Sequence, residues 1–385
     1  MQKKFLLVPL FFVGGVTASF AQISTLVSLN KNYQTGLELL QNEKYVAAAH
    51  QFKLVESIRT KVSSQKESSA ELSLIKENAK FYAAVCALEL GNSDAESLFL
   101  EFIKTYPLNP NTVLAYFHVG KSYFGQKNYN KALEWFEKTD PTALSQKQRV
   151  EFQFKQAYSY FELKDFEKAE PLFEAVKKEE SPFQESATYY FAYINYLNKE
   201  YKTALSNFEK LKGSPTYEAS YPYYITSMYY LDERYDDVID YALPAMAKTK
   251  QQFEPEMLSL VAASYFAKSD FKTAEKYFAE FYSKDKNQTK NNLFIYQYGY
   301  SLFKNAKYKE AVTVLEKLNT DDVYLQNGMY TLGKASLELK NKDKARNAFF
   351  RASKIDLDKI IQEEAWLNYA KLSYELEFNQ QALES

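Results

Sequence analysis

The sequence predicts an all-α protein, a solenoid in which helix–turn–helix units stack one on another. Gly and Pro, which most often interrupt regular structure, number only 10 each among 385 residues. That is too few for a β-sandwich or barrel, whose many turns need these residues. The chain also repeats itself every 34 to 37 residues, and a fixed period of this length is the signature of a solenoid.

The first segment, residues 1–21, is predicted to be a secretory signal peptide. It has two lysines near its start, an apolar stretch at 5–16, and small residues where a signal peptidase cuts, which we place after Ala21. The apolar stretch is shorter than a bilayer-spanning helix requires, although an N-terminal anchor stays open as an alternative. Export of an aromatic-rich helical chain with a single Cys indicates the periplasm of a Gram-negative cell.

The remainder, residues 22–385, is predicted to be one array of about ten helix pairs. A small residue in the second helix recurs four positions before a large apolar one, and another small residue lies twelve positions earlier, in the first helix. The earlier row reads Gly36, Gly120, Ala157, Ala192, Thr226, Ala262, Gly299, Gly333 and Ala370. The later row reads Ala48, Ala132, Ala169, Ala204, Val238, Ala274, Ala311, Ala345 and Ala382. Small residues at both places let two helices cross closely, and stacking then buries the face that one pair leaves exposed.

This spacing and these residue types resemble the tetratricopeptide repeat (TPR) family, whose repeat is 34 residues long. The resemblance implies a right-handed α-solenoid. Repeat 2, at residues 71–107, is degenerate and has one residue fewer in its turn. Repeat 10 is incomplete, because the sequence stops inside its second helix, and continuation in a longer chain is left open. Pro244 falls within the second helix of repeat 6, where it predicts a kink, or else an early helix end.

Composition argues against catalysis, cofactors and metals. The chain has two His and one Cys and lacks a glycine-rich phosphate loop. We interpret His50 and His118 as ordinary helix-surface or groove histidines, and Cys86 as a buried hydrophobe. The acidic run at 232–240 is interpreted as a solvated helix start rather than a calcium loop. With 48 basic and 49 acidic residues, the chain shows no electrostatic footprint for nucleic acid.

The TPR resemblance implies that the first helices line a concave groove, and aromatic residues recur at the positions that would face it. They are densest over repeats three to six. The predicted partner-binding residues are Phe117, Phe124, Phe154, Tyr158, Phe161, Tyr189, Tyr193, Tyr196, Tyr223, Tyr230, Tyr296 and Tyr300. Chaperone-type TPR domains instead place Lys and Asn there to clamp a carboxylate, so such a clamp is not expected here.

The predicted function is that of a non-enzymatic periplasmic scaffold that binds protein partners through this aromatic groove. It resembles the exported TPR proteins of Gram-negative envelopes, which implies a role in envelope or outer-membrane assembly. The alternative is a solenoid that binds glycan or peptidoglycan, because stacked aromatic rings also suit sugar rings. The sequence specifies neither the partner nor the oligomeric state.

Overall fold

A computed structural model describes residues 14–58, 66–285, 291–320 and 322–378. The start of the predicted signal peptide and the predicted second helix of repeat 10 lie outside these ranges. The described residues form helices and their connections, with no strand among them, so the prediction of an all-α solenoid is confirmed. The chain divides into two compact units, here called unit 1, up to Phe191, and unit 2, from Ala192.

Nineteen α-helices lie in the described ranges, and all but the last form consecutive pairs. The helices are α1 (Gly14–Gln41), α2 (Tyr45–Ser57), α3 (Lys66–Glu89), α4 (Ala95–Thr105), α5 (Thr112–Gly125), α6 (Tyr129–Phe136), α7 (Gln146–Glu162), α8 (Phe166–Val176), α9 (Gln184–Leu197), α10 (Tyr201–Phe208), α11 (Tyr221–Leu231), α12 (Tyr235–Lys248), α13 (Glu254–Ala267), α14 (Phe271–Lys284), α15 (Asn292–Lys304), α16 (Tyr308–Leu315), α17 (Val323–Glu338), α18 (Lys342–Ser353) and α19 (Lys359–Glu375). Two 3₁₀ turns, Pro141–Ala143 and Glu209–Leu211, follow α6 and α10.

The core of each pair is a large side chain of the second helix set against a small residue of the first. Most pairs use phenylalanine, and the ring is almost completely buried. These residues are Phe52, Phe99, Phe136, Phe173, Phe208, Phe278 and Phe349. The small second-helix residues predicted at the crossings have no exposed surface from Ala48 to Ala345, Ala169 and Ala204 among them, and Ala382 lies outside the described residues. Close backbone approach therefore fixes how each pair crosses.

The nine turns between the first and second helices of the described pairs, and the turn that ends α19, have the same backbone geometry. One residue in each adopts the left-handed conformation, with φ between 55° and 70°. In the α7–α8 turn, the Lys164 N–H donates to the Phe161 carbonyl and the Asp165 N–H donates to the Tyr160 carbonyl. This paired arrangement satisfies carbonyls that the helix end would leave unbonded. Asp165 then caps α8 by accepting from the Lys168 N–H.

Two irregular features of the sequence have a clear structural outcome. Helix α12 continues through Pro244 to Lys248, so the alternative that this helix ends early is wrong. In repeat 2 the left-handed residue is Gly91, and the small residue Ala95 follows four positions later, against five in the α5–α6 turn. Across the part of the chain that the structure describes, no helix is both long and apolar enough to span a membrane.

Candidate functional site

A cleft of about 1000 Å³ lies within unit 1, among the first helices of the first four pairs. We call it the unit 1 cleft. Its lining residues are Leu40, Gln41, Glu43, Tyr45, Phe81, Tyr82, Val85, Glu89, Leu114, Phe117, His118, Lys121, Gln146, Lys147, Gln148, Val150, Glu151, Glu179, Glu180, Ser181, Pro182 and Phe183. This volume is at the upper end of ligand-binding cavities, and it combines aromatic walls with charged side chains.

Charged side chains from three consecutive first helices meet in this cleft. The Lys121 ammonium on α5 lies 3.1 Å from a carboxylate oxygen of Glu89 on α3 and 3.1 Å from one of Glu151 on α7. Lys155, one turn after Glu151, lies 3.7 Å from the same carboxylate and 4.4 Å from the ring centre of Phe124. The four side chains are between 15% and 33% exposed, so this network links three repeats in a partly desolvated place.

The two lysines differ in how well their charge is compensated. Burial alone would lower the pKa of Lys121, but Glu151 and Glu89 outweigh burial and raise it. For Lys155, burial prevails over Glu151 and lowers the pKa, with Lys121 acting in the same direction. Lys121 is therefore the firmly charged centre of the network, since it has two carboxylates and Lys155 shares one of them.

His118 borders the cleft but belongs to the core. It is 5% exposed, and its ring stacks on Phe99 with centroids 5.1 Å apart. Burial, with a smaller contribution from Lys121, lowers the pKa of His118 to about 3. The imidazole is neutral at physiological pH and is poorly suited to acid–base chemistry there. The sequence interpretation of a surface or groove histidine is corrected to a core histidine at the cleft wall.

The described residues contain no group of three His, Cys, Asp or Glu side chains able to hold a metal ion. In the acidic run, Asp236 and Asp237 lie in the first turn of α12, where the helix dipole favours carboxylates. Arg234 pairs with Asp237 at 2.7 Å. Cys86 is buried, as its apolar surroundings in the sequence indicated.

Of the twelve aromatic residues predicted to bind a partner, only Phe117 lines the unit 1 cleft. Phe117 has no exposed surface and Phe154 is 9% exposed, so both belong to the core rather than to a groove surface. Tyr158 is partly exposed, but its ring packs on five others with centroids 5.2 to 6.2 Å apart: Phe124, Tyr129, Phe154, Phe161 and Tyr190. In unit 1 the aromatic residues predicted to bind a partner therefore serve largely to pack neighbouring repeats together.

Tyr189, near the end of unit 1, and the predicted residues of unit 2 are also engaged within the protein. The Tyr196 hydroxyl lies 2.9 Å from that of Ser227, and Tyr193 meets Tyr224 edge-on at 5.4 Å. Tyr230 meets Tyr235 edge-on, with ring centroids 5.8 Å apart. The others pack on neighbouring rings: Tyr189 on Tyr190, Tyr223 on Phe253, and Tyr296 on Tyr300. Binding of a partner by these predicted aromatic residues stays a prediction.

One recurring contact explains many of the aromatic residues near the ends of the first helices. Each packs on the aromatic residue that begins the second helix of the same repeat, with ring centroids 5.5 to 6.0 Å apart. The pairs are Phe124–Tyr129, Phe161–Phe166, Tyr196–Tyr201, Tyr230–Tyr235, Phe266–Phe271 and Phe303–Tyr308. These ring pairs hold together the two helices that flank the turn, which is a structural role.

Sequence reasoning missed the ionic network because its members are about 30 residues apart and belong to different repeats. Lys121 occupies the position, one after the small residue of repeat 3, that Tyr158 occupies in repeat 4. An inspection of every residue type at that position, rather than of the aromatic ones, would have identified Lys121.

Three family models match separate parts of the chain. A tetratricopeptide repeat model matches residues 154–218 and a second one matches residues 113–138. The model described as anaphase-promoting complex, cyclosome, subunit 3 matches residues 267–352. The chain contains tetratricopeptide repeats. Proteins of this family are generally non-enzymatic scaffolds that bind protein partners. No curated protein matches this TPR protein.

Solved TPR structures align with much of this TPR protein at low identity. YrrB, described as a TPR protein with an unusual peptide-binding site, is 17% identical over 50% of this chain and 96% of its own, with a TM-score of 0.42. The C-terminal part of a TPR protein from Cytophaga hutchinsonii is 16% identical over 70% and 98%, with a TM-score of 0.42. The TPR domain of P58(IPK) is 15% identical over 91% and 99%, with a TM-score of 0.31.

Proposed function

We propose that this TPR protein is a non-enzymatic scaffold that binds a segment of a partner protein in the unit 1 cleft. The observation that supports the proposal is the composition of the cleft, with aromatic walls around a partly desolvated ionic network. Such a surface buries the apolar side chains of a bound segment and fixes the orientation of that segment through a few polar contacts.

The charge of the cleft specifies the partner segment. Five glutamates line it (Glu43, Glu89, Glu151, Glu179 and Glu180) against two lysines (Lys121 and Lys147). Lys155, which pairs with Glu151, reduces the excess of negative charge to two. Glu89 and Glu151 pair with Lys121 at the centre, whereas Glu43 and Glu180 are exposed at the rim. A segment with apolar anchors flanked by Lys or Arg complements this distribution.

Selection of displayed peptides against the purified protein, followed by fluorescence anisotropy, tests this assignment. We expect enriched peptides to combine aromatic or aliphatic residues with Lys or Arg. The variant Glu43→Gln/Glu180→Gln should weaken their binding about tenfold and reduce its salt dependence. Glu137→Gln, which removes an exposed carboxylate away from the cleft, should leave binding unchanged. Enrichment of acidic peptides, or equal effects of rim and control variants, would contradict the proposal.

We further propose that the protein acts in the periplasm, in envelope or outer-membrane assembly. The support is the predicted signal peptide at 1–21 and the resemblance to exported TPR proteins. Cell fractionation should place the chain in the periplasmic fraction, with an intact mass that begins at Gln22. A cytoplasmic chain that retains Met1 would refute this part alone. Immobilised peptidoglycan is the control ligand, because its retention of the purified protein would favour the glycan-binding alternative.

A further inference from the structure

Another cavity lies within unit 2, between the 3₁₀ turn that follows α10 and the helices α11 and α12. Its volume is about 470 Å³, which is typical of small-ligand sites. Three tyrosines, Tyr221, Tyr229 and Tyr241, form aromatic walls. Tyr229 and Tyr241 meet edge-on, with ring centroids 5.9 Å apart and ring planes at 80°. Such walls suit an apolar ligand chain.

The charged side chains of this cavity favour a cation. Three carboxylates line it against two ammonium groups, an excess of one negative charge. Glu218 is neutralised by an ion pair with Lys248. Glu209 and Asp240 form no ion pair within the part of the chain that the structure describes, and Lys212 is the other lining cation. A ligand with a positive charge complements this arrangement.

Two cations close to the cavity do not change this balance, because each has a carboxylate of its own. Arg234 pairs with Asp237 at 2.7 Å, and Lys268 pairs with Asp236. The Arg234 guanidinium also lies 4.5 Å from the ring centre of Tyr229. The ring of a cavity wall thus already attracts a cation.

Two hydrogen-bond acceptors at the cavity lack a donor. Pro244 lines the cavity and has no N–H, so the α-helical hydrogen bond to the Asp240 carbonyl cannot form. Gln251, also in the lining, is 5% exposed, and its amide nitrogen donates to the carbonyls of Ala245 and Thr249. The Gln251 amide oxygen is buried without a hydrogen-bond partner among the described residues. An acceptor buried in this way costs free energy that a bound donor recovers.

These acceptors lie some distance apart along α12. The Gln251 amide is bonded to the carbonyl of Ala245, which follows Asp240 by five residues. Five residues of a helix span about 8 Å along its axis. Between the two places the lining includes the apolar side chains of Ile225 and Pro244. A complementary ligand therefore has a donor at each end and an apolar chain between them.

We propose that this cavity binds a linear organic cation with a nitrogen donor at each end of an apolar chain. One ammonium group lies with Glu209 and Asp240, and the second nitrogen donates to the Gln251 amide oxygen. The chain packs on Ile225 and Tyr241. A free diamine has this chemistry, and so does a lysine residue of a partner protein through its ammonium group and its backbone N–H. The proposal does not rest on the function of the unit 1 cleft.

Isothermal titration calorimetry of the full chain with three matched ligands tests the chemistry. Cadaverine should bind, pentylamine should bind at least about threefold more weakly because it lacks the second nitrogen, and pentanoate should not bind. A lysine residue blocked at both backbone ends distinguishes the two sources. Binding of this lysine tighter than that of cadaverine assigns the cavity to a partner protein, and weaker binding assigns it to a free diamine.

Substitutions locate the ligand. Glu209→Gln/Asp240→Asn should raise the dissociation constant of cadaverine at least about tenfold, and both residues are exposed, so the fold should persist. Glu200→Gln removes an exposed carboxylate of the same repeat outside the cavity and should bind normally. Pro244→Ala supplies an N–H to the Asp240 carbonyl, so it should weaken binding several-fold while raising the melting temperature.

Four results would overturn the proposal. They are binding of pentanoate as tightly as pentylamine, cadaverine no tighter than pentylamine, a Glu209→Gln/Asp240→Asn protein that binds like Glu200→Gln, and unchanged binding by Pro244→Ala.

Discussion

Some helix crossings require glycine because the side chains of the second helix leave no space for a methyl group on the first helix. A methyl group on Gly120 would lie 2.4 Å from the ring of Phe136, and one on Gly333 would lie 2.7 Å from the ring of Phe349. Both rings are almost completely buried, so neither can move aside. Gly125, at the end of the same helix as Gly120, has nothing within 4 Å of an added methyl group.

Gly120→Ala should therefore lower the free energy of unfolding by about 1–3 kcal/mol, as expected for overpacking. Gly125→Ala should be neutral or stabilise by up to about 1 kcal/mol, because alanine is the better helix former and finds open space. Urea unfolding followed by circular dichroism compares the two. Equal destabilisation by both would mean that helix propensity, rather than the crossing, controls these sites.

His118 makes the stability of the protein depend on pH. Its pKa in the folded protein is about 3, against about 6.5 in an unfolded chain. Between these values the unfolded chain binds a proton that the folded chain excludes, so stability is full above pH 6.5 and falls as the pH drops towards 3. At pH 5 this effect alone amounts to about 2 kcal/mol.

His118→Leu should consequently lose about 2 kcal/mol less than the wild type between pH 7 and pH 5. Urea unfolding at the two pH values measures the difference and cancels the contribution of the carboxylates, which both proteins share. His50→Leu is the control, since His50 is exposed, and its pH dependence should match the wild type. A His118→Leu protein that is as sensitive to acid as the wild type would refute the assignment.

Sequence reasoning succeeded where a residue's role depends on its own helix pair and failed where it depends on a neighbouring pair. The small residues and the large residues beneath them are separated by a fixed 16 positions, as in Gly120 and Phe136, so periodicity alone located them. The partners of Tyr158 include Tyr190, in the next repeat. Its assignment to a groove surface assumed that repeat stacking does not use that position, and the ring contacts show that stacking does.

At the scale of the element, the turn is the most regular part of the molecule although its residue types vary. Nine of the ten left-handed residues in these turns are not glycine, and the tenth is Gly91. The nine are Glu43, Lys127, Lys164, Lys199, Glu233, Ser269, Ala306, Lys340 and Glu377. In the left-handed conformation the Cβ atom lies too close to the following carbonyl oxygen, which costs free energy. The paired hydrogen bonds of the turn must offset that cost.

Replacing such a residue by glycine should stabilise its repeat. Lys164→Gly should raise the free energy of unfolding by about 0.5–1 kcal/mol, because glycine adopts the left-handed conformation without a steric penalty. Gly91→Ala should lower it by about 1 kcal/mol through backbone strain alone, since an added methyl group at Gly91 has nothing within 4 Å. Thermal unfolding of both variants checks the pair, and a destabilised Lys164→Gly protein would show that the Lys164 side chain has another role.

At the scale of the whole molecule, each described repeat packs mainly on its sequence neighbours. The ionic network illustrates the range of coupling: Glu89, Lys121 and Glu151 join three consecutive repeats. A solenoid coupled in this way has a stability close to the sum of its repeats and their interfaces.

Local coupling makes a prediction that a single globular core would not satisfy. Hydrogen exchange of Gly120→Ala should rise in repeat 3 and the repeats on either side of it, while repeat 9 keeps wild-type protection. Gly333→Ala should show the converse, because its clash with Phe349 is confined to repeat 9. In the double variant the two sets of changes should simply add, since the sites share no partner and distant substitutions are additive to within about 0.5 kcal/mol. Exchange that rises along the whole chain after either single substitution would mean that the protein unfolds as one cooperative unit, and the nearest-neighbour description would then be wrong.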